Sequence, residues 1–414
     1  MSSVLPIDIL IQIVDIVGEN KDTNLLKELA LVSHFFLQIC SKHLFATIEL
    51  HDAHWMGCFP SSKKGFVKLL KSRPGVVKYI RKLTYKMQST IYHQSSTHSI
   101  LVNEDHGLSP TLPNLLRTIP RLNSLTINAS RLDWKRLDSS LTSALLHLMQ
   151  LPTINHIDLS FIQNFPLSSL TACVNVHRLD IFYLTHFDSY GDGSFETVQS
   201  EMMPNIREFH TSDSALMTAK LLLAKRQDGR PAFNFMDLRR LSYSSPGFEV
   251  DMSIRYLLQN AKLLEKLSLS VELGKRLVGL HDILSPRACT LKVFDLTVFL
   301  YAVPSPGGLC EELEAMAGHF MVETLSFEFK VDGYETEEFI GSIIQKVWEV
   351  LIKPGWSALR QVSFKVSIAC CQVSKEDSTR LSKVLQSLPD KYLSHFSKLE
   401  LHYSAYVVKC AYDP

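Results

Sequence analysis

The sequence predicts an α/β chain in two parts: a packet of three short helices over residues 1–48, then an irregular solenoid over residues 49–414 with an inner parallel sheet and outer helices. Three observations predict it. A phrase of the form apolar, two variable, apolar, polar, apolar recurs along the chain, as in TINHIDLS and LLEKLSLS. The segments between the phrases carry helical rather than alternating spacing. The first fifty residues lack the phrase until LFATIEL and read as helices throughout.

The opening stretch LPIDILIQIVDIV has polar residues only at Asp8, Gln12 and Asp15, which is helical spacing and leaves one thin polar stripe. A surface helix of a monomer buries about one face, so this one is expected to be covered on two sides. Gly18 is placed to end it, and Asp22 or Thr23 to cap the next helix. In NLLKELALVSHFFLQICSKHLF the apolar residues recur mostly every three or four positions, with Ser33 as the cap of a third helix. Three such helices are too small to bury their own apolar surface, so they are expected to dock on the chain and on a partner.

Leu5-Pro6, then Asp8, Ile9, Ile13 and Ile16, then Leu31-Val32-Ser33 and the aromatic Phe36, resemble the F-box in order and spacing over residues 4 to 48. The departure is Phe36, where Trp is commoner. F-box proteins bind the adaptor subunit of cullin–RING ubiquitin ligases. The resemblance therefore implies an adaptor, and through it a cullin, as partners, with Leu5, Pro6, Ile9, Ile13, Leu31, Val32 and Phe36 as the adaptor-binding residues, the apolar face lying in a groove of the partner. The other reading is that these helices only cap the first repeat of a solenoid, since terminal units are atypical.

Ten phrases follow, centred on Leu125, Ile157, Leu179, Phe209, Leu241, Leu267, Phe294, Leu325, Val362 and Leu399, at intervals of 22 to 37 residues. Weaker copies stand at LFATIEL and YIRKLTYK. Each phrase alternates and reads as a short strand. The segments LTSALLHLMQLP, DMSIRYLLQNAKLL and EEFIGSIIQKVWEVLIKPGW read as helices. Helix and strand repeating in one direction imply a parallel sheet, because that stacking buries the inward apolar rows. This resembles irregular leucine-rich repeats, which commonly follow an F-box, and implies a horseshoe. The copies lack the Asn that regular repeats carry after the strand. The polar stretches QSTIYHQSSTHSILVNEDHGLSP, HFDSYGDGSFETVQSE, KRQDGRPAFN and AVPSPGGLCEE read as loops.

If the apolar positions face the core, period two sends the residues beside them to the concave face. Asp158, Asp180, Phe182, His210, Asp295, Glu328, Lys365 and Glu400 are the target-binding candidates there, accompanied by Thr126, Ser160, Ser242, Ser268, Ser326 and Ser363. Acids outnumber bases among them, which suits a basic or polar peptide, though scattered charge also serves solubility.

Composition narrows the function. Lys and Arg total 43 against 42 Asp and Glu, so no net field gathers nucleic acid or an anionic membrane. No apolar run approaches the roughly 18 residues that span a bilayer, and the first segment has no signal-peptide pattern. A soluble protein of cytoplasm or nucleus is expected. The eight cysteines form no CxxC pair and are expected to be reduced. No phosphate loop, GxSxG or HExxH is present, and no nucleophile stands beside a base at readable spacing. The sequence thus predicts a non-catalytic substrate receptor without cofactor or metal, binding an adaptor through its first helices and a target protein through its repeats. The alternatives are an interaction scaffold outside any ligase, and an enzyme whose site assembles only in three dimensions.

Overall fold

A computed structural model describes residues 5–51, 62–88, 111–166, 168–185, 203–226, 228–245, 252–272, 279–285, 290–301, 308–332, 337–370, 379, 382–383, 386–388 and 399–409. The stretches QSTIYHQSSTHSILVNEDHGLSP, HFDSYGDGSFETVQSE and AVPSPGGLCEE, expected as loops, lie largely outside these residues. The chain divides into two compact units, Met1–Asn205 with Lys225–Ala232, and Ile206–Ala224 with Phe233–Pro414.

The first unit begins with α1 (Ile7–Glu19), α2 (Thr23–Val32) and α3 (His34–Leu44). Pro6, which needs no backbone donor, leads into α1. The Asp22 carboxylate accepts from the Leu25 amide at 3.0 Å, and the Ser33 hydroxyl from the Phe36 amide at 3.3 Å, so both expected caps form. Val14, Leu26 and Cys40, one from each helix, make the packet's core, with Val17, Leu29, Phe36, Ile39 and Leu44 packed around it. Asp15 ties α1 to α3 through Lys42 at 2.6 Å and His43 at 2.8 Å. Those two hydrogen bonds, Lys42 first, hold its carboxyl below the usual range.

Gly18 differs from expectation. The helix runs on to Glu19, so Gly18 lies inside the last turn rather than ending it. Its reason is packing: a Cβ there would stand 2.2 Å from His43 Nδ1. The bare backbone is what lets α3 approach.

The repeats of the first unit are β1 (Thr47–His51), α4 (Ser62–Ser72), β2 (Lys82–Gln88), α5 (Thr111–Arg117), β3 (Ser124–Asp133), α6 (Ser139–Met149), β4 (His156–Gln163), α7 (Ser168–Thr171) and β5 (Arg178–Phe182). β1 to β5 pair in chain order, all parallel. Each crossover needs a helical or similar return, which is why helices alternate with strands. Leu141, Ala144, Leu145 and Leu148 on α6 recur every three or four residues and are buried. They face the sheet's apolar row, in which Leu83, Leu125, Ile157 and Leu179 share one register and are buried. Within the loop expected at KRQDGRPAFN, Lys225 bridges Pro231 and Gly229 takes φ 78°.

The second unit contains β6 (Glu208–Ser212), α8 (Ala215–Leu223), β7 (Arg240–Ser245), α9 (Met252–Asn260), β8 (Lys266–Glu272), α10 (Leu280–Leu284), β9 (Val293–Tyr301), α11 (Leu309–Met316), β10 (Thr324–Asp332), α12 (Glu337–Leu351), β11 (Gln361–Cys370) and β12 (Glu400–Lys409). These strands also pair in parallel and in chain order. Phe209, Leu241, Leu267, Phe294, Leu325 and Val362 share one buried row. On the next row Phe327 stacks on Phe364 at 5.5 Å.

The last strand needs one correction. Val362 aligns with Leu401, not with Leu399. The shift is two residues, and two preserves the face, so Glu400 stays outward.

One backbone device repeats at the strand entries. The amides of Asn123 and Ser124 both bond the Arg81 carbonyl, those of Asn155 and His156 the Asn123 carbonyl, and those of His177 and Arg178 the Asn155 carbonyl. The second unit repeats it from Arg207 to Arg239, Glu265, Lys292 and Glu323. Each bond pair pins a strand's first residue beside the first residue of its neighbour.

Candidate functional site

Two surfaces stand out, the apolar side of the helical packet and the outward face of each sheet. On α1, Ile9, Ile13 and Ile16 are exposed at i, i+4 and i+7, with Leu5 one turn ahead of them and Ile7 also exposed. At the end of α2, Leu31 is 88% exposed and Val32 68%. Such exposure costs free energy in water, about 25 cal/mol for each Å² left uncovered. The packet's own core takes Val14 and leaves this stripe unused. Pro6 is exposed as well. Phe36 stands apart from the other adaptor-binding candidates, because it is half-buried and packs on the packet's core.

The outward face of the first sheet has three registered rows. One row reads Thr47, Lys82, Ser124, His156 and Arg178; the next reads Glu49, Thr84, Thr126, Asp158 and Asp180; the third reads His51, Lys86, Asn128, Ser160 and Phe182. Asp180 is 3% exposed. It survives burial because donors surround it: Arg178 Nε and Nη2 at 2.9 to 3.2 Å, and His156 Nε2 at 2.9 Å. On the other side of the ring, Ser124 Oγ lies 2.9 Å from His156 Nδ1. A carboxylate accepts only, so Nε2 carries the ring proton of the neutral imidazole and Nδ1 accepts from the Ser124 hydroxyl.

Asp158 is placed differently. It accepts from the Ser160 hydroxyl at 3.0 Å. Burial pushes its carboxyl above the usual range, and the Asp180 charge adds to that, against the opposing pull of Ser160, His156 and Thr126. Next to this face Phe161 and Tyr183 both have positive φ, 58° and 50°, and are exposed and stacked at 4.7 Å. The left-handed turn at each rotates out a ring that alternation would have sent to the core.

On the second sheet the central outward row reads His210, Ser242, Ser268, Asp295, Ser326, Ser363 and His402. Its neighbour carries Thr297, Glu328, Lys365 and Ser404. Asp295 pairs with Lys266 at 2.7 Å and accepts from Ser268. Glu328 meets Lys365 at 2.8 Å, and Tyr406 donates to it at 3.3 Å. Burial raises the Glu328 carboxyl, but the Lys365 hydrogen bond and the Lys330 and Lys365 charges outweigh it and leave it lowered. Glu400 is exposed beside His402 at 3.0 Å.

The structure therefore puts every described target-binding candidate on an outward row and adds the cations between them. Glu49 with Lys86, Asp180 with Arg178, Asp295 with Lys266 and Glu328 with Lys365 are paired on these faces. Lys82, His156, Arg178 and Lys266, which precede the central apolar position of their strands and are not among the expected candidates, share these faces. Period two was the available signal, since Arg178 and Asp180 must share a face.

Cys40 and Cys173 are free and buried, Cys310 is free and half-buried, and burial pushes the Cys173 thiol to about 12. Among the described residues no group of three His, Cys, Asp or Glu is placed to hold a metal, and no helix is long and apolar enough to cross a membrane. In comparison with known proteins, the chain matches no family model and no curated protein sequence significantly.

Proposed function

We propose that this chain is the substrate-recognition subunit of an F-box-type ubiquitin ligase, holding the ligase adaptor with α1 and α2 and a target protein with its repeats. In each unit the array of parallel β/α repeats presents a polar sheet face, an arrangement suited to holding protein partners. The observation that carries the finer reading is the uncovered stripe Leu5, Ile9, Ile13 and Ile16 with Leu31 and Val32, on helices whose own core is already filled. An amphipathic helix laid in a partner's groove covers such a stripe. A receptor of this kind contributes proximity and orientation, and the transfer itself belongs to other subunits.

The rival is a repeat scaffold whose first helices only cap the sheet. It explains why the packet leads directly into β1, but it leaves the stripe without purpose. Coexpression of the full chain with the ligase adaptor, followed by size-exclusion chromatography, separates the two. A one-to-one complex that Ile13→Asp and Leu31→Asp abolish supports the receptor. A folded chain that never coelutes with adaptor overturns it in favour of the scaffold.

A further inference from the structure

The alignment of Ser124, His156 and Asp180 on the first sheet has the form of a nucleophile, a base and a group that orients the base. Three successive strands supply one residue each. The carbonyl-sharing amides at the strand entries fix Ser124 beside His156 and His156 beside Arg178, and Asp180 follows Arg178 two residues on, on the same face. Both links of the chain are 2.9 Å. Compared with the usual Ser-His-Asp order, the ring is used the other way round, with Nε2 toward the acid and Nδ1 toward the hydroxyl. Arg178 holds both carboxylate oxygens, sharing Oδ2 with His156 Nε2, so the acid is fixed in place and the ring cannot turn without breaking a hydrogen bond. Ser124 and His156 are both half-buried on the outward sheet face. Lys82 stands next to Ser124 in register on β2, one strand spacing or about 4.8 Å away, and is exposed, so a cation is available on the same row.

We propose that Ser124 is an activated nucleophile and that this face hydrolyses small carboxylic esters. Ser124 Oγ attacks the ester carbonyl while His156 Nδ1 takes its proton. The carbon–oxygen bond to the leaving alcohol then breaks, and the imidazolium returns the proton to that alcohol. Water, deprotonated by the same nitrogen, attacks the acyl-serine, releases the carboxylic acid and restores the hydroxyl. No oxidant, reductant or metal is needed. Ser124 and His156 are the catalytic residues; Asp180 and Arg178 are positioning residues. This activity is independent of adaptor binding and of the target's identity.

The test uses the purified full chain, a fluorophosphonate probe and p-nitrophenyl acetate. With the probe, the Ser124 oxygen displaces fluoride from phosphorus, and intact mass with peptide mapping reads the adduct. We expect a single adduct on Ser124, none on the Ser124→Ala chain, and His156→Ala labelling at least about 100-fold slower, the usual contribution of a general base. Hydrolysis of p-nitrophenyl acetate should rise with pH through one ionisation in the wild-type chain, and Asp180→Asn should displace that profile. A purely structural hydrogen-bond ladder would move neither labelling nor profile. Thermal melting checks that each variant is folded. No adduct on the folded wild-type chain overturns the proposal whatever the variants do, and so does an adduct on another residue or a rate indifferent to His156.

Discussion

Gly18→Ala sets two effects of opposite sign against each other. Within a helix, Ala is favoured over Gly by up to about 1 kcal/mol, so on propensity alone the change strengthens the last turn of α1. The added Cβ, however, would lie 2.2 Å from His43 Nδ1 and 2.4 Å from its Cγ. Contact with Cγ means that a twist of the ring is not enough; χ1 of His43 or the separation of α1 and α3 must change. Overpacking of this kind costs about 1 to 3 kcal/mol. It also breaks the 2.8 Å bond to Asp15, worth under about 1 kcal/mol because that carboxylate is partly exposed. Sterics win, and the expected loss is about 1 to 2 kcal/mol, roughly a ten-fold fall in hydrogen-exchange protection of the α1 and α3 amides. The check is a double-mutant cycle with His43→Ala, measured by hydrogen exchange on the full chain. In that background the clash is gone, and Gly18→Ala should raise protection. Equal protection by Gly18→Ala in both backgrounds would refute the close-approach argument.

Leu31→Asp should change stability by no more than about 0.5 kcal/mol, because the residue is solvent-covered, yet weaken adaptor binding at least about 30-fold, as loss of an interface anchor does; calorimetry and thermal melting read the two separately. Leu267→Asp should unfold the second unit, since an unpaired charge in that buried row costs several kcal/mol, which circular dichroism reports. Asp158→Asn should raise the melting temperature at neutral pH. The folded pKa of Asp158 lies above its unfolded value, so the native carboxyl stabilises the fold below the unfolded pKa and loses that contribution as pH rises through the folded one. The gap between variant and wild type should close on acidification, and a constant gap would sink the argument. Asp15→Asn should behave oppositely: its lowered folded pKa means the ties to Lys42 and His43 stabilise above the ordinary carboxylate value and fade as pH falls through the folded one, so the variant's deficit in α1 protection should vanish in acid.

The strands were the most legible part of the chain because their signal is doubled. Each phrase fixes a face by alternation and a position by recurrence, and Phe209, Leu241, Leu267, Phe294, Leu325 and Val362 fall on one row as their spacing implies. The slip at Leu399 shows the limit: alternation fixes parity, not register, so two residues of error leave the face intact and the neighbour wrong. Gly18 was misread because a glycine near a helix end satisfies a capping rule and a packing need equally well in one dimension. Only the distance to His43, twenty-five positions away, decides between them.

The site was less legible for a related reason. Ser124, His156 and Asp180 lie 32 and 24 residues apart, and no motif joins them. What joins them is register, and register comes from backbone amides that carry no side-chain signature. The same logic governs charge. Counted along the chain, the outward acids exceed the outward bases; counted across strands, Lys266 neutralises Asp295 and Lys365 neutralises Glu328. Asp158 is the exception on the first sheet, a carboxylate held by hydroxyls with its pKa raised by burial. A cation placed against it would offset both the desolvation of the carboxylate and the repulsion from Asp180.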